Sequence, residues 1–135
     1  NYLVTEVMTA TPQKLQLMLI EAALRFGHQA QTFWQEGQDD SALEAIIRCQ
    51  QIVTELLCGL NPEQNTEMVR RVAGVYLFIF RGLTAAQLER DTKQLSDALA
   101  ILEIERETWR ELCEKLGATQ AAPAGAGTSQ MSFEA

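Results

Sequence analysis

The chain has few of the residues on which enzymatic and cofactor chemistry usually depends. Among its 135 residues are one histidine, His28, and three cysteines without a CxxC spacing. A single histidine cannot supply the paired Glu-x-x-His ligands of a di-iron bundle, and the cysteine pattern argues against a disulfide framework and a zinc site. No glycine-rich phosphate loop occurs, and His28 is the only base available to a serine or cysteine nucleophile. We therefore expect no cofactor, no metal site and no enzymatic activity.

Positive charge and long apolar runs are also scarce. The 11 basic residues are outnumbered by 18 acidic ones, which gives a formal net charge of -7. Nucleic acid is not an expected partner, because phosphate binding needs a basic surface. No apolar run approaches the ~20 residues that cross a bilayer, and residues 1–30 lack the basic segment and compact apolar core of a secretory signal. We expect no membrane span and a reducing, cytoplasmic setting.

The sequence does contain clear helix start and stop signals. Thr11 offers a capping hydroxyl ahead of Pro12, and Ser41 and Glu44 stand at capping-box spacing. Such signals, with glycine or proline at the ends, predict four helices over about 11–36, 40–59, 64–90 and 91–117. Four helices of this length with short loops predict an all-α, antiparallel up-down four-helix bundle.

The ends of the chain differ in composition from the middle. We expect residues 1–10 to form an extended N-terminal arm and residues 11–117 to form the bundle. Residues 118–135 are rich in alanine, glycine, serine and threonine, which predicts a flexible C-terminal tail.

Apolar residues recur at helical spacing throughout the predicted bundle. The run GVYLFIFRGL, residues 74–83, could be a strand or a helix by itself. A longer apolar stripe at helical spacing favours a helix, and it consists of Met68, Val72, Val75, Ile79, Leu83 and Ala86. The core stripes predicted for the other helices are Leu15, Leu19, Ala22, Phe26, Ala30 and Phe33; Leu43, Ile47, Gln50, Val53 and Leu57; and Leu95, Ala98, Leu99, Leu102, Trp109, Cys113 and Leu116.

Every helix also carries apolar residues beside its predicted stripe. Singly, such residues are ordinary, since they can pack against a neighbouring helix or remain exposed. Together they predict apolar grooves between helix pairs, of a kind that takes an amphipathic helix or an extended segment of a partner. The residues that this helical-wheel interpretation assigns to the grooves are Leu17, Leu24, Ile52, Leu56, Ile101 and Ile104. The arm at residues 2–8 would cover a groove when the partner is absent.

Several stretches resemble the flagellar export chaperone family, FliS. The segment YLVTEVMTATPQKLQLMLIEAALRF is similar to the family's N-terminal Tyr, Val, Thr-Ala-Ser/Thr-Pro turn and Leu-x-x-Met-Leu helix. GLNPEQNTEMVRRVAGVYL and ERETWREL extend the resemblance over residues 2 to about 116. The family's Tyr-Asp-Gly, Gly-Gly and Tyr-Asp-Tyr are replaced here by residues 20–22, 65–66 and 76–78. The first and last replacements predict a more apolar surface.

The resemblance implies a non-enzymatic cytoplasmic chaperone. It would bind the disordered C-terminal segment of flagellin, prevent premature polymerisation and keep flagellin ready for flagellar type III secretion, as a monomer or weak homodimer. Other flagellar regulators or export components stay open as partners. By motif match, Tyr2 and Val7 would belong to the gating arm, and Ile20, Tyr76 and Phe78 to bundle helices. These five residues complete the expected partner-binding set.

Two rival interpretations remain from the sequence. The first is a structural or regulatory bundle that buries the same apolar flanks in a homodimer. The second is phosphotransfer through His28, although the following residues, HQAQTF, lack the Lys and Gly that such domains usually place there.

Overall fold

Four helices account for nearly all of the chain that a computed structural model describes, which is residues 10–61, 63 and 66–121. They are α1 (Pro12–Gln35), α2 (Asp39–Cys58), α3 (Thr66–Glu89) and α4 (Thr92–Ala121), and these residues include no strand. Each helix packs against its neighbour in the chain, and α1 also packs against α4. The helices therefore form a closed ring around one core, which confirms the predicted four-helix bundle.

Contacts between neighbouring helices show that they run antiparallel. Arg90, just after α3, pairs with Asp39 at the start of α2, whereas Gln50 in the middle of α2 donates to Thr84 Oγ1 over 2.7 Å. Residue numbers thus rise along one helix as they fall along the other. The two-residue connection between α3 and α4 leaves the chain no room to return to its starting end.

The predicted starts of α1 and α4 are confirmed by their caps. Thr11 Oγ1 accepts a hydrogen bond from the backbone N–H of Lys14 at 3.1 Å, and Pro12 is the first helical residue. Asp91 Oδ1 accepts from the backbone N–H of Gln94 at 3.0 Å. In each case the side chain satisfies a donor that the first helical turn leaves unpaired.

The predicted capping box of α2 is wrong. The helix begins at Asp39, before Ser41, and its cap residue makes no side-chain hydrogen bond to the first turn. Gly37 turns the chain there with a φ of 75°, which glycine adopts at little steric cost. Asp39 and Asp40 lie in the first turn, where negative charge stabilises a helix. The end predicted for α4 at Gly117 is also wrong, since the helix continues to Ala121.

The core follows the predicted stripe closely in α4 and in the second half of α3. Leu95, Leu99 and Leu102 are buried, as are Ile79 and Leu83. Ile79 and Leu83 both belong to the stripe that the sequence predicts for α3.

The predicted core faces of α1 and α2 are wrong. The core there includes three residues assigned to the grooves, Leu17, Leu24 and Leu56, and also Ile20 of the expected partner-binding set. Most members of the predicted stripes are instead half-buried or exposed, as for Leu15 and Leu43, although Ala30 and Val53 are buried as predicted. Apolar residues occupy both sides of these helices, so periodicity alone cannot select the inward side.

Small residues explain which side of α1 faces inward. Ala23, Gly27 and Ala30 lie with the buried leucines and isoleucine, and all three are buried. A Cβ added at Gly27 would overlap the side chain of Leu99 on α4. The glycine therefore permits a close approach of α1 and α4 that the other side of the helix, with its bulky Leu19 and Phe26, does not allow.

Candidate partner-binding surface

The eleven predicted partner-binding residues separate into three groups in the structure. Tyr2 and Val7 lie outside the described residues. Buried in the core are Leu17, Ile20, Leu24, Leu56 and Tyr76. Accessible to a partner are Ile52, Phe78, Ile101 and Ile104.

Tyr76 is a core residue and not a surface contact, which corrects its predicted position. Its side chain is fully buried, and its hydroxyl accepts a hydrogen bond from Nε2 of Gln16 on α1. Burial raises the pKa of the Tyr76 phenol well above its usual range, and the nearby carboxylate of Glu105 raises it further. The neutral hydroxyl connects helices that lie diagonally across the bundle, which is a structural role.

Phe78 and Ile104 are the most exposed of the predicted residues that the structure describes, at 55% and 60%. A large apolar side chain in water on each of two helices indicates surface that the bundle itself does not cover. Ile101, one turn before Ile104 on α4, is half-buried and packs against the edge of the core.

The register of α3 and α4 brings these three residues to one level of the bundle. Gly82 of α3 lies against Ala98 of α4, and Glu105 of α4 is near enough to Tyr76 of α3 for its charge to raise the pKa of that tyrosine. Phe78 lies between Tyr76 and Gly82 along α3. Ile101 and Ile104 lie between Ala98 and Glu105 along α4. We name the surface of Phe78, Ile101 and Ile104 the α3–α4 seam.

Ile52 does not belong to the α3–α4 seam. It follows Arg48 by one helical turn, and the guanidinium of Arg48 lies 5.8 Å from the centroid of the Phe26 ring on α1. Gln50, which contacts α3, projects from a different side of α2. Ile52 is therefore placed towards α1, and the groove predicted from the sequence is divided between two sides of the bundle.

One ionisable side chain lies beside the α3–α4 seam. Glu105 is partly buried on α4, and burial raises the pKa of its carboxyl, while a hydrogen bond from Trp109 opposes that shift. A carboxylate in such a place has lost part of its hydration without gaining a cation. The seam is thus apolar with one acidic edge.

Sequence reasoning missed Leu88, which is 77% exposed near the end of α3. Leu77, on the same helix, is 42% exposed. The two are eleven residues apart, which is close to three full turns of a helix. That spacing in the sequence could have shown that Leu77 and Leu88 lie on the same outward side of α3.

A cleft of about 400 Å³ lies where the chain enters α1. Its walls come from both ends of the bundle sequence, because α1 begins beside the last turns of α4. The side chains around it include Thr11, Lys14, Arg110, Cys113 and Glu114.

The family of the chain follows from its match to known proteins. A family model described as "Flagellar protein FliS" matches residues 1–116. The chain belongs to the FliS family. The resemblance drawn from the Thr-Ala-Thr-Pro turn and the helices after it is thereby confirmed.

Three named FliS proteins are similar to the chain over most of its length. The flagellar secretion chaperone FliS of Bacillus subtilis is 29% identical over 110 residues, which cover 82% of this chain and 81% of that protein. The protein of the same name from Salmonella typhimurium is 26% identical over 110 residues, covering 81% and 82%. That of Campylobacter jejuni is 28% identical over 102 residues, covering 76% and 80%.

The residues that depart from the FliS motifs differ in whether they are buried or exposed. Ile20 is buried, so this replacement adds no apolar surface, contrary to expectation. Leu77 and Phe78 are exposed, so two of the three residues at the Tyr76-Leu77-Phe78 replacement present apolar side chains on the surface of α3. The difference arises because Ile20 lies on the side of α1 that approaches α4.

Of the reactive side chains of this FliS-family chain, His28 is hydrogen-bonded and Cys49 is buried, whereas Cys58 is an exposed free cysteine. His28 Nδ1 lies 3.0 Å from Gln31 Oε1, and Nε2 lies 3.1 Å from Glu103 Oε2. The Cys49 thiol is fully buried, and burial raises its pKa to about 12. A thiol in that state is a poor nucleophile at neutral pH.

No group of metal-ligating side chains is assembled among the described residues of this FliS-family chain. Within the same part of the chain, none of the helices combines the length and the apolar character required to span a bilayer.

Proposed function

We propose that the protein is a non-enzymatic, cytoplasmic export chaperone that binds the disordered C-terminal segment of flagellin. The observation that carries this proposal is the FliS-family match over residues 1–116, together with relatives named flagellar secretion chaperones. Binding keeps flagellin from polymerising prematurely and ready for flagellar type III secretion. The protein acts as a monomer or weak homodimer.

The α3–α4 seam supports this proposal as a docking place. Phe78 and Ile104 present apolar surface on two adjacent helices, and Ile101 continues it towards the core. An apolar face of an amphipathic segment would remove these side chains from water, which is the main favourable contribution to such association. A segment that folds as it binds also loses conformational entropy, and this keeps affinity moderate and release easy.

Calorimetric titration with a peptide of roughly the last 40 residues of the host's flagellin tests the proposal. We expect saturable one-to-one binding with a large negative heat-capacity change, because apolar surface is buried and the segment folds. Absence of binding at high protein concentration would contradict it. A stable dimer in light scattering, unaffected by the peptide, would favour the homodimeric bundle instead.

Ile104→Glu locates the site within the protein. The substitution places a charge in the α3–α4 seam, and we expect peptide binding to be lost while the bundle still melts cooperatively, since Ile104 is exposed. Leu15→Glu is the matched control, because Leu15 is an exposed apolar residue on α1, away from the seam. Equal losses of binding in both variants would show that the seam is not the docking place.

A further inference from the structure

The outward line of α3 combines exposed apolar and basic side chains. Arg70, Leu77, Arg81 and Leu88 follow one another at intervals of seven, four and seven residues. At 3.6 residues per turn these intervals place the four side chains on one line along the helix. All four are exposed. We name them the α3 line.

The charge of this helix is opposite to that of the chain. Residues 68–88 contain three arginines and no carboxylate, in a protein whose net charge is -7. Arg71 has one distant partner, with its Nη2 3.8 Å from Glu67 Oε2. Arg70 and Arg81 make no ion pair with any residue that the structure describes. The α3 line therefore offers two positive charges that no described residue pairs with.

Gly74 lies one turn after Arg70 on the same side of the helix. It is exposed, and a Cβ added there would meet nothing within 4 Å among the described residues. Glycine weakens a helix relative to alanine, so packing within the bundle gives no reason for it here. Close approach by the backbone of another helix would give one, because only a missing side chain leaves room for it.

We propose that the α3 line is a docking surface for an acidic amphipathic helix of a partner protein. Its apolar residues would contact Leu77 and Leu88, its carboxylates would pair with Arg70 and Arg81, and its backbone would approach Gly74. Arg70 and Arg81 are eleven residues apart, or about 16 Å along the axis, so carboxylates eleven residues apart in the partner helix match them. This surface goes beyond the flagellin-binding seam and does not depend on it.

Charge complementarity favours a different protein over a second copy of this chain. A two-fold dimer through residues 68–88 would bring together the three arginines of each copy, with no carboxylate from either segment. Like charges at one interface oppose association. An acidic helix supplies the missing carboxylates.

The test uses two labelled helical peptides of about 20 residues, the length that spans the α3 line. Both carry leucines along one face, and they differ in having glutamates or lysines eleven residues apart beside it. Fluorescence anisotropy is measured with the full protein at low salt and at roughly 0.5 M salt, where exposed charge pairs are largely screened. We expect the glutamate peptide to bind saturably, more weakly at high salt, and the lysine peptide not to bind.

Charge reversal identifies the surface. In the double variant Arg70→Glu/Arg81→Glu we expect affinity for the glutamate peptide to fall at least about tenfold, because two attractions become two repulsions. Arg25→Glu is the matched control, since Arg25 is an exposed arginine on α1 without an ion pair to the described residues, and its affinity should not change. Gly74→Ala should also weaken binding, although it leaves the bundle at least as stable.

Three results would overturn the proposal. They are equal binding of the two peptides, an equal effect of reversal at Arg25, and a protein dimer that dissociates in the double variant, which would identify a second copy as the occupant. Titration of the same variants with the flagellin segment separates this test from that of the α3–α4 seam. If Ile104→Glu loses flagellin binding and the variants of the α3 line keep it, the two surfaces bind different partners.

Discussion

The two sides of α3 show how one helix can complete a core and still present surface to a partner. On the inward side, Tyr76, Ile79 and Leu83 are fully buried against the other helices. On the outward side, Leu77 and Leu88 are exposed beside Arg70 and Arg81, which make no ion pair with the described residues. Both sides carry large apolar residues, and the arginines lie only on the outward side. Their difference lies in which neighbours the bundle supplies.

The largest expected effect comes from equal truncations on the two sides. Leu83→Ala should lower the free energy of unfolding by about 2–5 kcal/mol, because it leaves a cavity in the core. Leu88→Ala should change it by less than about 0.5 kcal/mol, because Leu88 is already in water. Chemical denaturation of both variants measures the difference. Similar losses would mean that Leu88 is covered in solution.

Tyr76→Phe tests the polar contact beneath the inward side. Without the hydroxyl, Nε2 of the buried Gln16 loses its acceptor, and we expect a loss of about 1–3 kcal/mol in the free energy of unfolding.

Gln16→Leu and the double variant with Tyr76→Phe complete a cycle for this contact. The double variant should be less destabilised than the sum of the two single variants, because neither partner is then left unsatisfied. Strict additivity would show that the hydrogen bond contributes nothing to stability.

Replacing two glycines by alanine should change the stability of the bundle in opposite directions. Gly27→Ala should destabilise the bundle by about 1–3 kcal/mol, because the new Cβ overlaps Leu99 in the core. Gly74→Ala should stabilise it by about 0.5–1 kcal/mol, because its surroundings are open and alanine favours a helix. Thermal melts of the two variants should move in opposite directions. A lower melting temperature for both would show that Gly74 also has a role within the fold.

The smallest expected effect is at Glu105. Its pKa is raised by burial, so the folded state binds the proton more tightly than the unfolded state, and the ionised form is a cost at neutral pH. Glu105→Gln should therefore raise the melting temperature slightly at pH 7. This gain should shrink as pH falls through the raised pKa towards the ordinary glutamate value of about 4.3. A gain that is constant with pH would exclude this cause.

The reliability of the sequence predictions varied with how distinct the apolar stripe was. The face of α4 was predicted correctly because, Ile101 and Ile104 apart, polar and charged residues occupy most of its other positions. On α1 and α2, bulky apolar residues occur on more than one side, and the predicted face was the wrong one. There the small residues Ala23 and Gly27 mark the inward side, since a close helix contact needs little side-chain volume.

The candidate site was predicted only in part for the same reason. Phe78 and Ile104 were expected on the surface and are exposed, whereas Leu17, Leu24 and Tyr76 were expected there and are buried. Their partner-binding role stays a prediction. The common level of Phe78, Ile101 and Ile104 along the bundle depends on the register of α3 against α4. The apolar pattern of a single helix cannot predict its register against another helix.

The sequence by itself determined the helices, the α-helical class, the family and the excess of apolar residues on α3. Local signals suffice for these, because capping, periodicity and composition act within a few turns of chain. Tertiary structure alone decided which apolar residues are core and which remain in water. That choice depends on how closely pairs of helices can approach, and this is set jointly by side chains far apart in sequence, such as Gly27 and Leu99.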